Sequence, residues 1–556
     1  HHLNASFAKG TPKKGHIAFI SQSGALCTSV LDWAIKENIG FSHFISIGNT
    51  LDVDFGNLID YLGEDEETEA IILYIESIKE ARSFLSAARA FARTKPIIVY
   101  KAGRFPQSAD VAASHTGALA AEDAVYKAAF ERAGVVRVTN IDDIFHSAEL
   151  IGRKKIPRGP RLGIVTNAGG PGVMATDTLL ELKGELADLT KETLEELDRV
   201  LPPMWSQANP VDVLGDARSK RIAGALKITL KDPGVDAVLV ILTPQAMTNA
   251  KAAAKAVANA AADTSKPVLA AWMGGRSMEE GVDLLNKADV PTYLTPEQGV
   301  RAFMTLVEYA RNLESLYQTP REIPVEFSLD RKSLREQFQK LVEGQGEILI
   351  EAVSKQLLEA YGIATAVPRT AVNEDEAAAR AEEIGYPVVL KIASPDISHK
   401  SDAGGVLLNL ENGAEVRQGY KNIISSAKQY KADAAINGVS VQPYIERDQG
   451  VELILGTKKA AVFGTVIMAG AGGVTAELYE DTSLGLPPLN KKLAMRLLTS
   501  LRIWPLLRGY RGSPRLDIEG VVETMIRLSY LAADYPEITE MDINPLLVTE
   551  TGVTAL

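Results

Sequence analysis

Five apolar runs rich in β-branched residues, HIAFIS, SHFISIG, AIILYIE, PIIVYKA and VVRV, punctuate the first 155 residues, and amphipathic stretches separate them. A strand that is apolar on both faces has to be covered on both, and the intervening pieces have the spacing of helices that could cover it. That alternation admits few folds, because it describes a parallel sheet held between two helical layers. After the basic, proline-containing linker GRKKIPRGP the same rhythm restarts with RLGIVTN, AVLVILT, PVLAAWM and PTYL. The expected class is α/β, with two doubly wound parallel-sheet domains in series over residues 1–155 and 156–325.

The stretch from about 313 to 345 is polar and charged and reads as a connector. Beyond it the rhythm changes. Helical patterns LIEAVSKQLLEAYG and DEAAARAEEIG alternate with AVPRTAV and PVVLKI, and hairpin-like runs GGVLLNL, GVSVQPYI, VELILGTK and AVFGTVIM follow. Strands grouped apart from helices predict an α+β module with largely antiparallel sheets over residues 326–556. No GxGxxG after a strand opens any of the three domains.

Charge and composition narrow the function classes. A net charge of -12 with no long basic run argues against a nucleic-acid partner, while leaving room for a local basic site that takes a small polyanion. No apolar run approaches the roughly 20 residues that cross a bilayer, and the N-terminus has no charged-then-apolar signal pattern, so a soluble protein with no membrane partner is expected. The single cysteine, Cys27, excludes an internal disulfide and suits a cytoplasmic location; its apolar helix, GALCTSVLDWA, predicts that it is buried.

In an open α/β sheet, ligands bind where strand C-termini meet helix N-termini, because unpaired backbone donors and the helix dipole collect there. Two places fit. IAFISQSGALCTSVLDWA runs from a strand through Ser21, Gln22, Ser23 and Gly24 into a helix, and RLGIVTNAGGPGVMATDTLL does the same with Gly169, Gly170 and Gly172. Either loop could seat a phosphoryl group against free backbone amides, and either could serve only to pack a strand on a helix. Of seven histidines, five are terminal or fall within strand and helix patterns and read as structural. His115 in AASHTGALA and His399 in PDISHKSDAGGV lie in small-residue loops, where an accessible neutral imidazole can accept and return a phosphoryl group or can simply be solvated. In the third module Lys391, Glu446, Glu452 and the alternating Glu540, Asp542 and Asn544 of EMDIN offer a cation for phosphates and hard oxygen ligands for Mg²⁺.

SQSGAL, SHTGALA, TNAGGPGVMATD, NPVDVLGDA, VVLKIASPDISHKSDAGGV and EMDINPLLV follow one another in that order. Together they resemble the NDP-forming acyl-CoA synthetases, near the ADP-forming acetate–CoA ligases and related to succinyl-CoA synthetase, over nearly the whole chain. The resemblance implies a succinyl-CoA synthetase-like ligase domain of flavodoxin type, a second flavodoxin-like domain and an ATP-grasp domain. It implies that His115 is phosphorylated during turnover, and that the helices beginning at SQSGAL and at NAGGPG, with Asn167, present their N-termini to that phosphate. His399 is implied as a second relay that takes phosphate from ATP, and Glu76 as the carboxylate that orients the first imidazole. Lys391 matches a phosphate-binding lysine, and Asn544 matches a Mg²⁺ ligand.

The implied reaction is acid + CoA + ATP giving acyl-CoA + ADP + phosphate, with ATP/ADP and Mg²⁺ as cofactors and coenzyme A as a substrate. The implied partners are nucleotide, coenzyme A, a small carboxylic acid and further copies of the chain in a homo-oligomer. The family's CoA-binding domain would precede LNASFA and an aspartate metal ligand would follow VTAL, so this stretch by itself is expected to form no acyl-CoA. A ligand-sensing, ligase-like region of a protein lysine acetyltransferase is the alternative; the presence of both His115 and His399 favours an enzyme. The identity of the acid is not readable from the residues.

Overall fold

The structure is a computed structural model that describes residues 12–36, 39–105, 108, 123–152, 155–317, 330–342, 349, 351–366, 368–397, 400–445, 450–473 and 481–556. His115, His399 and Glu446 lie outside the described residues. The chain divides into two compact units, His1–Thr319 and Pro320–Leu556.

The first unit holds two parallel sheets. Strands β1 (Lys14–Ser21), β2 (Phe41–Ser46), β3 (Ala70–Ile75), β4 (Ile97–Lys101) and β5 (Val136–Val138) pair in the order β2-β1-β3-β4-β5. Strands β6 (Arg161–Thr166), β7 (Glu185–Leu186), β8 (Val211–Asp212), β9 (Ala237–Leu242), β10 (Val268–Trp272) and β11 (Thr292–Tyr293) pair in the order β11-β10-β9-β6-β7, with β8 beside β6. Setting β8 aside and numbering within each domain, both sheets have the flavodoxin order 2-1-3-4-5, which reverses direction between the first and third strands and opens a ligand crevice there. The apolar runs behave as central strands covered on both faces, and every residue of β9 is buried.

The long helix Pro296–Tyr317 leaves the second sheet and packs back over the first. Its Asn312 donates to the Val135 carbonyl at 3.0 Å, and Arg301 lies 3.4 Å from Asp143. This helix makes the two sheets one unit. Within the second sheet, the Asn209 amide does the work of a missing strand bond. It accepts from the Ile164 N–H at 2.9 Å and donates to the Leu162 and Ala187 carbonyls, each at 2.9 Å.

The second unit is α+β with two antiparallel sheets. Strands β12 (Arg369–Ala371), β13 (Val388–Ile392), β14 (Val406–Leu410) and β15 (Val439–Pro443) pair as β12-β15-β13-β14. Strands β16 (Val451–Ala460), β17 (Gly464–Ala471), β18 (Thr482–Gly485), β19 (Glu540–Val548) and β20 (Val553–Ala555) pair as β18-β17-β16-β19-β20. Asn373, Asn412 and Asn490 cap the helices that cover these sheets, each accepting from a backbone N–H in the first turn.

The expected connector at 313–345 is more structured than its charge suggested. The helix Pro296–Tyr317 runs into it, and Arg331–Val342 forms a further helix. Leu334, Phe338 and Val342 recur at four-residue intervals, and the Phe338 ring packs tilted against Tyr535, centre to centre 4.4 Å, in the core of the second unit. Cys27 is buried as expected, and burial pushes its thiol up. Among the described residues no helix is long and apolar enough to cross a membrane.

Asn209→Ala should remove the side-chain partner of the Ile164 N–H and of the Ala187 carbonyl and one of two donors to the Leu162 carbonyl, and is expected to destabilise the first unit by about 2–4 kcal/mol. Urea unfolding followed by tryptophan fluorescence checks this, since Trp205 and Trp272 are buried in the same domain. A shift under about 0.5 kcal/mol would mean that Asn209 does not hold the sheet.

Candidate active site

At the end of β1 the chain turns sharply into the helix Gly24–Lys36. The Ser21 hydroxyl takes the Ser23 N–H at 3.0 Å and donates to the Ser23 carbonyl at 3.0 Å, which closes the turn. The buried Gln22 amide reaches sideways to the segment after β3. It accepts from the Glu76 N–H at 2.6 Å and the Ser77 N–H at 3.0 Å, and donates to the Ser77 carbonyl at 3.0 Å. Ser23 caps the helix through the Leu26 N–H at 3.4 Å. The backbone of Glu76, the expected orienting carboxylate, is thereby held beside the helix start at the crevice of the first sheet.

The second domain repeats this construction with different residues. The Thr166 hydroxyl takes the Ala168 N–H at 3.0 Å and donates to the Ala168 carbonyl at 2.7 Å. The buried Asn167 amide accepts from the Thr243 N–H at 2.8 Å and donates to the Thr243 carbonyl at 3.0 Å. The strand pairing Ser21↔Tyr74 and Thr166↔Ile241 makes Thr243 the positional counterpart of Glu76. The glycines separate into two kinds. A Cβ on Gly172 would meet Thr166 and Pro210 at 3.2 and 3.4 Å, so Gly172 serves packing of helix on sheet. A Cβ on Gly170 would meet nothing within 4 Å, so packing does not account for it, and the open space suits approach of an anion to the helix Gly169–Glu181.

Two further side chains belong to the first crevice. Lys101 ends β4 beside Ile75, buried, with its ammonium 4.5 Å from the Tyr126 ring centre and its hydrogen bond to the Ala102 carbonyl. Burial holds its ammonium down to about 8, against the pull of Asp123 and Glu76. Burial, aided by Glu76, pushes the Tyr74 phenol up to about 12. The Tyr126 hydroxyl accepts from the Ile78 N–H at 3.2 Å, so the Glu76 segment is held from both sides.

In the second unit, a cavity of about 700 Å³ opens between the two antiparallel sheets, in the size range of small-molecule sites. Lys391 of β13 and Gln442 of β15 form one wall, and Asp542 and Asn544 of β19 form another. Glu351 and Lys355, from the helix Glu351–Ala360, and Lys400 complete a charged cluster on its lining. Lys355 and Lys391 lie 3.0 and 3.5 Å from Glu351 Oε1, and Lys400 contacts Oε2. Burial would raise the Glu351 carboxyl, but Lys391, Lys400 and Lys355 hold it well below the usual carboxylate range. Burial lowers the Lys391 ammonium to about 8 in spite of Glu351.

Three family models match the chain: a succinyl-CoA ligase-like flavodoxin domain over residues 14–151, a Ligase-CoA domain over 162–316 and an ATP-grasp domain over 340–556. Both flavodoxin-like stretches thus match models described by ligase families. An ADP-forming acetate–CoA ligase of Archaeoglobus fulgidus is 38% identical over 551 residues, which is 99% of this chain and 78% of that one. The chain belongs to the ADP-forming acyl-CoA ligases. A 4-hydroxybutyrate–CoA ligase, also ADP-forming, from Nitrosopumilus maritimus is 36% identical over 99% of this chain and 78% of its own. An acetyl-coenzyme A synthetase of Ca. Korarchaeum cryptofilum, solved with phosphate and ADP, is 36% identical with a TM-score of 0.54, covering 58% of this chain and 70% of that one.

Seen as an ADP-forming acyl-CoA ligase, the chain brings some of its expected residues together and leaves others apart. Ser21, Gln22, Ser23, Gly24 and Glu76 meet at one crevice, and Asn167, Gly169 and Gly170 at the other. Lys391, Asp542 and Asn544 share the cavity, whereas Glu540 and Glu452 are not on its lining. Glu452 is half-buried in β16, its carboxylate against Gly473. Sequence reasoning does not single out Glu351, Lys355, Lys400 or Lys101. Lys101 had a signal, since it is a cation at the C-terminal end of a parallel strand, but in the helix EAVSKQLLEA the charged positions look like a solvated face.

Asp542 and Asn544 fit a hard divalent cation, because both bring oxygen donors to one cavity wall; partial desolvation together with Glu540 pushes the Asp542 carboxyl up. Among the described residues no three histidine, cysteine, aspartate or glutamate side chains form a metal cage, so further ligands would have to come from phosphate oxygens and water.

The lowered Lys391 gives a signed pH effect. Below about 8 both folded and unfolded chains carry its proton and the burial penalty is complete. Between about 8 and the ordinary lysine value of about 10.4 the folded chain releases the proton first, so this group alone makes stability rise with pH. Anion binding runs the other way. Pyrophosphate, used as a test polyanion, is expected to bind about tenfold more weakly at pH 9 than at pH 7.5 by calorimetry, and Lys391→Met should flatten that dependence. A pH-independent affinity in the unmodified chain counts against Lys391 as the anion's partner.

Proposed function

We propose that the chain takes part in joining a small carboxylic acid, acetate or a close analogue, to coenzyme A at the expense of ATP, its share being to pass the phosphoryl group through His399 and His115. The observation that carries this reading is the cavity that sets three lysines opposite Asp542 and Asn544 within the stretch matched by the ATP-grasp family. Lysine ammonium groups and hard oxygen donors facing one another are what a nucleotide polyphosphate with its cation requires. When bound, Mg²⁺ would neutralise phosphate charge and hold the chain of phosphates in line.

In the first step a neutral His399 nitrogen attacks the terminal phosphorus, the bond to the bridging oxygen breaks, and ADP departs. His115 then takes the phosphoryl group from His399, which returns to neutral imidazole. The acid's carboxylate oxygen attacks phosphorus on His115 to give an acyl phosphate, and the CoA thiolate attacks its carbonyl carbon, releasing inorganic phosphate and the thioester. Glu76 would hold one ring nitrogen of His115 as a donor, which fixes the tautomer and keeps the other nitrogen nucleophilic. The two helix starts would take the phosphoryl oxygens on backbone N–H groups. Splitting one transfer between distant groups into short in-line steps is the benefit of a histidine relay. A cytoplasmic location accords with the single free, buried cysteine; self-association rests on the resemblance alone.

Incubation with γ-labelled ATP and Mg²⁺ should give acid-labile, alkali-stable phosphate. His399→Ala should abolish all labelling, while His115→Ala should retain label on His399 and lose acyl phosphate formation. Label that survives both replacements would remove the relay, and absence of label in the unmodified chain would point to a ligand sensor instead.

A further inference from the structure

The cavity of the second unit contains an internal anion. Glu351 Oε1 lies 3.0 Å from the Lys355 ammonium and 3.5 Å from that of Lys391, and Oε2 contacts Lys400. These residues come from the helix Glu351–Ala360, from β13 and from the turn before β14, so the convergence is a product of the fold. Their formal charges sum to plus two.

The three lysines are not equivalent. Lys355 uses all three of its donors: on Glu351 at 3.0 Å, on the Ala366 carbonyl at 3.0 Å and on the Gln442 side-chain oxygen at 3.0 Å. Lys391 and Lys400, by contrast, have Glu351 as their side-chain partner among the described residues. Two ammonium groups on the cavity lining therefore have donors to spare and one anion to hold them. Gln442 also donates to Glu351 Oε1 at 3.3 Å, which keeps the carboxylate in place whatever the lysines do.

We infer that Glu351 is the built-in counter-ion of the nucleotide site and sets its affinity. With no phosphate in the cavity it orders Lys391 and Lys400 and offsets their burial. When nucleotide enters, these two lysines transfer to phosphate oxygens, while Lys355 and Gln442 retain Glu351. The nucleotide thus exchanges one anion for another and does not meet bare cations, so binding is weaker than the lysine count suggests and the diphosphate can leave. No covalent step is involved. The inference rests on the nucleotide reading of this cavity and identifies the residue that tunes it.

Glu351→Gln in the complete 556-residue chain tests this, because the amide keeps the shape and a hydrogen-bond acceptor while removing the charge. By calorimetry with Mg²⁺, ADP should bind about tenfold more tightly to the variant, with a steeper loss of affinity as salt rises, while adenosine affinity stays unchanged. Unchanged or weaker ADP binding by the variant, with ADP still bound by the unmodified chain, overturns the inference and leaves the nucleotide site standing. No ADP binding by the unmodified chain overturns both. Should the variant fail to fold, a structure of the unmodified chain with ADP decides: Lys391 and Lys400 are expected more than 4 Å from Glu351 and on phosphate oxygens, and both still paired with Glu351 refutes the exchange.

Discussion

A side-chain amide at the end of one strand, bonded to the backbone just past its neighbour, holds each crevice of the first unit in shape. Gln22 does this for Glu76 and Ser77, and Asn167 does it for Thr243. At the reversal point of a flavodoxin-type sheet the helices diverge, and backbone donors there would otherwise be satisfied by water. The amide supplies both an acceptor and a donor in a small rigid group, so it closes the edge without filling the space in front of the helix. With the edge held, the helix N-terminus can face a ligand, and the backbone that carries Glu76 is kept beside it.

The two domains have the same framework and differ in the chemistry placed on it. Where the first has Glu76 after β3 and Lys101 ending β4, the second has Thr243 and Trp272 at the paired positions. The first crevice can therefore orient an imidazole and respond to charge, and the second offers backbone donors, with the Asp212 carboxylate close to Gly169 at its helix start. This division suits a site in which one helix start belongs to the histidine and the other only to the phosphate. The second unit solves a different problem, that of keeping buried cations in place without an anion present, and Glu351 is its local answer.

Much of this was legible in the residues. Buried parallel strands announce themselves by unbroken apolar runs, and the turn from strand to helix at SQSGAL and NAGGPG can be placed within a residue or two. Lys391, Asp542 and Asn544 could be read because each stands at the end or on one face of a strand whose period is two. Lys355, Lys400 and Glu351 could not, since charges on an amphipathic helix and in a polar turn look alike whether water or a cavity faces them. The helix inside the charged stretch after residue 313 is hidden for a related reason: its lysines, arginines and glutamates outnumber the three apolar residues, four apart, that make Arg331–Val342 a packed helix.

From the sequence alone come the alternation of strand and helix, the change to antiparallel pairing after the connector, the glycine-bearing helix starts and the family. These are local or periodic properties, carried by hydrophobic spacing and by short segments whose backbone has few choices. Only the tertiary structure decided which polar groups share a cavity, which glycine packs and which stands open, and that a single carboxylate binds three lysines. Such facts depend on distances between segments far apart in the chain, and on burial that strengthens each charge interaction by removing water from it.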